Sequence, residues 1–339
     1  MPAEPLKIGL IGAGRIGRLH AEHLTLRIPT GAVLVVADTF EEAARQCAES
    51  YAIASYTQDY RAVLERPDIE AVVICSSTGS HADIIEAAAQ AGKHIFCEKP
   101  IALDLPSIDG ALEAVKRAGV KLQIGFNRRF DANFKRARQA VERGEIGRPC
   151  QFDIISRDPT PPPIEYIRLS GGIFLDMTIH DFDMARFLMG SEVEEVFALG
   201  EVMCDAAIGE AGDVDTAIVS LRLANGVIGT ISNSRRAVYG YDQRVEILGS
   251  AGAISVGNNY PNTAIISDST SVRRDLPQHF FLERYSESFV AEMSAFIDAV
   301  LHDKPVPVTG YDGRAPVVIA LAAQKSLEEH RPVRLSEIE

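Results

Sequence analysis

The sequence predicts an α/β protein in two parts. A doubly wound parallel sheet is expected over residues 1–126, followed over residues 127–339 by an α+β domain on a mainly antiparallel, open-faced sheet. Three observations carry this expectation. Short β-branched runs alternate with helical patterns through the first part, a glycine-rich turn follows the first of those runs, and after Phe126 the alternation gives way to consecutive strands and turns. A chain of 339 residues also exceeds what one hydrophobic core comfortably serves, so two domains are the default.

In the first part, Leu6–Ile11 reads as a strand and Arg15–Leu26 as the helix that follows it. Ala32–Ala37 and the helical stretch Glu41–Ser50 repeat the unit, then Ala71–Cys75 with His81–Ala91. Strands at Lys93–Cys97 and Lys121–Gly125 flank a helix at Pro106–Ala118. Continuous apolar runs such as Ala71-Val72-Val73-Ile74 suit strands covered on both faces, which right-handed crossover helices provide. In the second part a helix at Ala132–Arg143 leads to a strand near Pro149–Arg157, a proline-rich loop from Asp158 to Pro163, and a Gly171-Gly172 break before a helix at Asp176–Leu188. From Val193 to Val256 strands separated by turn signals read as a meander, and helices at Glu283–Leu301 and Gly313–His330 close the chain.

Composition narrows the function. With 46% hydrophobic and 24% charged residues the chain has enough apolar material for ordinary cores, so disorder is excluded as its main character. A net charge of −13 argues against a nucleic-acid partner and against a polybasic membrane anchor, while a helix N-terminus can still bind a nucleotide phosphate. No run approaches the ~18 apolar residues that a membrane span requires, and Met1 to Lys7 lacks a signal pattern. Cys47, Cys75, Cys97, Cys150 and Cys204 have neither metal-ligand nor redox spacing, so a reducing cytoplasm and no metal are expected.

Three stations carry chemistry. Gly12-Ala13-Gly14-Arg15-Ile16-Gly17 lies between the first strand and its helix. The first glycine allows the turn, the second admits a pyrophosphate, the third lets helix and strand pack closely, and the helix N-terminus favours the negative charge. Asp38 ends the second strand about 20 residues on, where a carboxylate accepts both ribose hydroxyls of NAD and repels the 2′-phosphate of NADP. Neither Thr39 nor Phe40 offers an adjacent cation, whereas Arg15 and Arg18 can neutralise phosphate. A solvated strand-end aspartate is the plainer alternative. Together these features predict a Rossmann-type NAD domain.

Glu98-Lys99-Pro100 closes a strand at its carboxyl end, where open α/β sheets bind ligands. Lys99 there can reach nicotinamide and substrate, or it can be a surface lysine paired with Glu98. In the second part Asp176 and His180 stand four residues apart and share a face if helical. A histidine titrates near neutrality and can accept a hydroxyl proton as hydride leaves the same carbon. Asp176 as a helix N-cap and His180 as a buried structural residue are the alternatives. Asp181 and Asp183 are expected to solvate the helix or pair with Arg186. Tyr239 and Tyr241, two apart on an expected strand, would face one side and serve either a polyol or an interface. Arg128 and Arg129 divide similarly between substrate recognition and tying the domains together.

In this order the three stations resemble the glucose–fructose oxidoreductase/inositol dehydrogenase family, and the resemblance extends through Tyr311-Asp312-Gly313-Arg314 to Arg331-Pro332-Val333. Gly125-Phe126-Asn127-Arg128-Arg129-Phe130-Asp131, Ser156-Arg157-Asp158-Pro159 and Tyr239-Gly240-Tyr241-Asp242 resemble its inositol branch. The resemblance implies NAD-dependent oxidation of a secondary hydroxyl of a cyclic polyol or sugar, with myo-inositol the first substrate to expect. It implies Lys99, Asp176 and His180 as the catalytic group, His180 taking the proton and Lys99 orienting the hydroxyl. Asn127, Arg157 and one of Tyr239 or Tyr241 would contact the polyol. Ser76, Ser77, Thr78 and His81, with Glu98, would lie near the dinucleotide, and the chain would form a homotetramer partly through the open sheet face. Asn127 stands where that branch can carry an apolar residue, which leaves the polyol open. A nucleotide-sensing regulator is the rival of another class, and it could dispense with Lys99, Asp176 and His180.

Overall fold

A computed structural model describes residues 4–338. The first eleven elements are β1 (Leu6–Ile11), α1 (Arg15–Leu26), β2 (Gly31–Ala37), α2 (Glu41–Ser50), β3 (Ser55–Thr57), α3 (Tyr60–Leu64), β4 (Ala71–Ile74), α4 (His81–Gln90), β5 (His94–Cys97), α5 (Leu105–Ala118) and β6 (Leu122–Ile124). The strands form one parallel sheet in the order β3-β2-β1-β4-β5-β6, the doubly wound arrangement. Every residue of β4 is buried, as its uninterrupted apolar run requires. Helix α5 shows how local chemistry sets a boundary: Asp104 accepts the Ser107 N–H, Pro106 opens the first turn, and Gly119 at φ +67 ends it. Both β3 and α3 escaped the sequence reading, being three and five residues long.

The chain continues with α6 (Ala132–Glu142), β7 (Pro149–Arg157), α7 (Ile164–Ser170), a π-helical turn at Phe174–Thr178, α8 (Ile179–Met189), β8 (Val193–Glu201), α9 (Ala206–Glu210), β9 (Thr216–Leu223), β10 (Ile228–Ser234), β11 (Asp242–Gly249), β12 (Gly252–Val256), β13 (Ile265–Ser267), β14 (Val272–Arg274), α10 (Phe281–Arg284), α11 (Ser286–Leu301), α12 (Gly310–Glu329) and β15 (Val333–Arg334). Seven strands form the second sheet in the order β12-β11-β7-β10-β9-β8-β15. The expected meander holds for β8-β9-β10 and for the hairpin β11-β12, but not between β10 and β11. Strand β7 inserts between β10 and β11 and runs parallel to β10, so the sheet is mixed, though mainly antiparallel. Alternation of buried and exposed residues along β9 gives that sheet one covered and one open face. The proline-rich segment expected to be only a loop runs into α7, and the helix expected from Asp176 begins earlier as the π turn.

The fold divides into two compact units that are not consecutive in sequence, unlike the expected boundary at 126/127. Residues 287–317 join residues 1–130 in the first unit, and the rest form the second. The physical reason lies in α11, whose Met293, Phe296 and Ile297 pack into the core of the parallel sheet with Leu6, Ile8 and Phe96. Among the described residues no helix is long and apolar enough to cross a membrane.

Candidate active site

The first unit builds a dinucleotide cradle. Gly12 has φ +100, and a Cβ there would lie 2.5 Å from the Cys75 backbone. A Cβ on Gly17 would fall 1.9 Å from the Gly12 carbonyl oxygen, so only glycine lets α1 approach β1 this closely. Gly14, the N-cap of α1, has nothing within 4 Å of its Cβ position and no side-chain cap. Open space therefore stands at the N-terminus of α1, where an anion is stabilised. Asp38 follows β2 and is anchored twice: its Oδ2 accepts the Ala13 N–H at 2.7 Å and its Oδ1 the Phe40 N–H at 2.9 Å. The carboxylate keeps lone pairs for ribose hydroxyls. These residues fit a dinucleotide. Arg18 turns back on the loop instead, donating to the Ala13 carbonyl at 3.3 Å and to Gln46 at 3.1 Å, while Arg15 is exposed at the helix head.

The remaining strand ends complete this half. Ser76, Ser77 and Thr78 follow β4, with Ser76 Oγ and Ser80 Oγ 2.8 Å apart. His81 is buried, its Nδ1 2.8 Å from the Pro100 carbonyl and its Nε2 3.0 Å from that of Ser76. Burial pushes its pKa down, against the two carbonyl contacts, which raise it. His81 thus ties the loop after β4 to the turn after β5. Lys99 is half-buried at that turn, and Glu98 beside it accepts a 2.8 Å bond from the buried His20 of α1. Glu292 of α11 is completely buried, and its ligand atoms lie within 4.8 Å of those of His20 and Glu98. Burial, reinforced by the charge of Glu98, holds the Glu292 carboxyl well above the usual range. Asn127 is buried in a 3-10 turn at Asn127–Phe130. Arg129 forms an ion pair with Asp312 at 2.9 Å, within this same unit.

The second unit presents Asp176 and His180. Asp176 sits in the π turn, not at a helix N-cap, and His180 in the first turn of α8. From Ile173 to His180 these two residues are half-buried and all the others are buried. Buried polar bonds fix the segment beneath them. Thr178 donates to Asn233 at 2.7 Å, and Asn233 donates to Asp181 at 2.8 Å. Asp181 is therefore a buried anchor of α8 and not a solvating residue, whereas Asp183, also buried, lies 3.9 Å from Arg186. The Asp176 carboxylate is held at both oxygens: the Tyr166 hydroxyl donates to Oδ1 at 2.8 Å and Arg235 Nη1 to Oδ2 at 3.0 Å. Arg235 is fully buried and also pairs with Asp213 at 3.3 Å. Burial works against its charge, but the two carboxylates outweigh that and raise its pKa. Tyr166, Asp213 and Arg235 were missed in the sequence; none lies in a recognisable spacing with Asp176.

Tyr239 and Tyr241 do not share a strand face. They flank Gly240, at φ +122, in the turn before β11, and that backbone breaks the two-residue alternation. Tyr241 is buried with its ring edge-on to Tyr285, centroids 6.0 Å apart. Tyr239 donates to Asp242 at 2.6 Å and accepts from Arg157 Nη1 at 3.1 Å, which links two of the expected polyol contacts. Burial tends to raise the Asp242 carboxyl, but bonds from Arg244, Tyr239 and Asn258 overcome it and hold the pKa low.

Comparison with known proteins agrees with this architecture. A family model described as the oxidoreductase family, NAD-binding Rossmann fold, matches residues 6–126, and one described as the GFO/IDH/MocA C-terminal domain matches residues 134–255. The chain is 50% identical to a myo-inositol 2-dehydrogenase of Thermotoga maritima, over 98% of this chain and 99% of that one. It is 45% identical to an inositol 2-dehydrogenase of Rhizobium meliloti, over 98% and 99% respectively. The crystal structure of scyllo-inositol dehydrogenase from Lactobacillus casei, with bound NAD(H) and scyllo-inositol, superposes with a TM-score of 0.92 at 29% identity, covering 98% of this chain and all of that one.

Proposed function

Since this chain belongs to the GFO/IDH/MocA oxidoreductase family, we propose that it oxidises a secondary hydroxyl of an inositol to a ketone, with NAD as cofactor and myo-inositol as the first substrate to test. The observation that carries the reading is the half-buried Asp176 and His180, four residues apart on a segment whose other side chains from Ile173 on are buried. Lys99, Asp176 and His180 form the catalytic group. His180 accepts the hydroxyl proton, Lys99 orients the hydroxyl oxygen and stabilises negative charge as it develops there, and Asp176 holds a neighbouring hydroxyl. NAD, when bound, supplies the hydride acceptor. The Gly12–Gly17 turn, Asp38, the loop of Ser76, Ser77 and Thr78, His81 and Glu98 position it. Asn127, Arg157 and Tyr239 read the polyol, and Tyr241 supports them from the core.

The protein works as a cytoplasmic homo-oligomer, most simply a tetramer. Five free cysteines support the compartment. Exposed apolar residues on the open sheet face support the assembly: Leu199 and Ile218 are cross-strand neighbours, and Ile228 and Leu248 flank Gln151. The test of the reaction is NADH formation from NAD and a panel of inositols. His180→Ala slows turnover by about 10²- to 10⁴-fold, the usual worth of a general base. Full activity in that variant removes His180 from its role.

A further inference from the structure

The turn that carries Lys99 is gripped from inside the first unit. Glu98, the residue before it, follows β5 and turns its carboxyl group inwards, leaving its side chain 14% exposed. From α1 the wholly buried ring of His20 sets Nε2 2.8 Å from Glu98 Oε1. Just after β6 only a glycine fits beside that carboxyl group, since a Cβ on Gly125 would lie 2.9 Å from Oε2. From α11 comes Glu292, completely buried, with a carboxyl oxygen within 4.8 Å of a His20 ring nitrogen and a Glu98 carboxyl oxygen. On the far side of Lys99 the Pro100 carbonyl is met by His81 Nδ1 at 2.8 Å.

Glu292 is the odd member of this set. Neither of its carboxyl oxygens has a hydrogen-bond partner among the described residues. The Gln123 side-chain amide, from β6, donates to the Glu292 backbone carbonyl at 2.9 Å and leaves the carboxyl group alone. An ionised carboxylate without a partner is among the costliest groups to bury, and here a second carboxylate stands beside it. Both effects favour the protonated form. A protonated carboxyl group has what a carboxylate lacks, an O–H donor. Glu98 is an acceptor within its reach: a small turn of the Glu292 side chain, or one bridging water, closes a gap of this size.

We propose that Glu292 is a positioning residue: as an O–H donor it joins His20 in holding the Glu98 carboxylate, and so fixes the backbone from which Lys99 reaches the substrate. The assignment rests on the proposed role of Lys99 in the polyol reaction. It gives a buried acid in the core a task, and it explains why a helix from the far end of the sequence is built into the support of this turn.

The experiment compares the wild type with Glu292→Gln, which keeps the shape and an uncharged donor, and with Glu292→Met, which keeps the length and has no donor. Initial rates are measured over a range of the preferred inositol at saturating NAD, alongside thermal melting and infrared difference spectra of wild type minus Glu292→Gln at neutral pH. The difference spectrum carries the carbonyl stretch of a protonated carboxyl group. Glu292→Gln keeps kcat to within about twofold, whereas in Glu292→Met kcat and kcat/KM fall together by about tenfold, the worth of one hydrogen bond to a charged group. Glu292→Met melts at or above the wild-type temperature, because an apolar side chain replaces a buried polar one. A carboxylate band in place of the protonated one overturns the assignment. So does wild-type kcat in Glu292→Met, or a loss of about tenfold in Glu292→Gln. The band and Glu292→Gln decide alone if Glu292→Met does not fold. A wild type inactive on every inositol overturns the polyol reading instead; the infrared band, which needs no turnover, still decides whether Glu292 is the donor.

Discussion

At the scale of single residues the cofactor cradle is decided by atoms that have no room. A methyl group at Gly17 would collide with the Gly12 carbonyl, so Gly17→Ala must push α1 away from β1. We expect at least about a tenfold loss of NADH affinity, measured by fluorescence titration. Asp38 gives the complementary test. Its carboxylate, proposed to meet the ribose, is braced by the Ala13 and Phe40 N–H groups. Asp38→Ser removes the charge that repels a 2′-phosphate, so the NAD-to-NADP ratio of kcat/KM falls by roughly tenfold or more. Both residues were legible in the sequence because a tight turn and a strand end are local. Arg235 and Asp213 were not legible. Arg235, just after β10, meets Asp176, and Asp213, in the segment after α9, meets Arg235, contacts that no spacing announces.

At the scale of elements, helix α1 carries a pH response. His23 is buried, and desolvation, helped by the positive fields of His20 and Arg27, lowers its pKa from 6.5 to about 4. Between those values the unfolded chain binds the proton and the folded chain does not. Stability is therefore complete above the unfolded value and is lost as pH falls from 6.5 towards 4, by up to about 3 kcal/mol. Urea midpoints at pH 7 and pH 5 should show the wild type losing more than His23→Gln. Equal losses would remove His23 as the cause. Helix α5 makes a simpler prediction: Asp104→Ala, which deletes the N-cap, costs about 0.5–2 kcal/mol by denaturant unfolding. The sequence placed that helix at Pro106–Ala118, one residue inside its observed start at Leu105. Helix α7 was not placed, since Pro161 to Pro163 read as loop and seven residues give no usable periodicity.

At the scale of the whole molecule, the apolar residues on the open sheet face are the test of assembly. Replacing Leu199 and Ile218 together by arginine puts two charges where the proposed contact buries apolar surface. Sedimentation velocity should then show smaller species while the far-UV circular dichroism is kept. An unchanged oligomer would move the interface elsewhere. The division into units belongs to this scale as well. The sequence boundary at 126/127 followed the change of pattern, but α11 returns to the first core because its apolar face matches the surface of the parallel sheet.

The sequence by itself determined the doubly wound sheet, the glycine turn with Asp38, and the four-residue spacing of Asp176 and His180. Each of these is written in local periodicity or short spacing, where backbone geometry leaves few choices. Only the tertiary structure decided that β7 separates β10 from β11, that Tyr239 and Tyr241 flank a turn, and that Asp176 is clasped between a buried arginine and an exposed tyrosine. Those outcomes depend on which distant strands pair and which buried charges must be neutralised. Such conditions are met by residues far apart in the chain, so no window of sequence contains them.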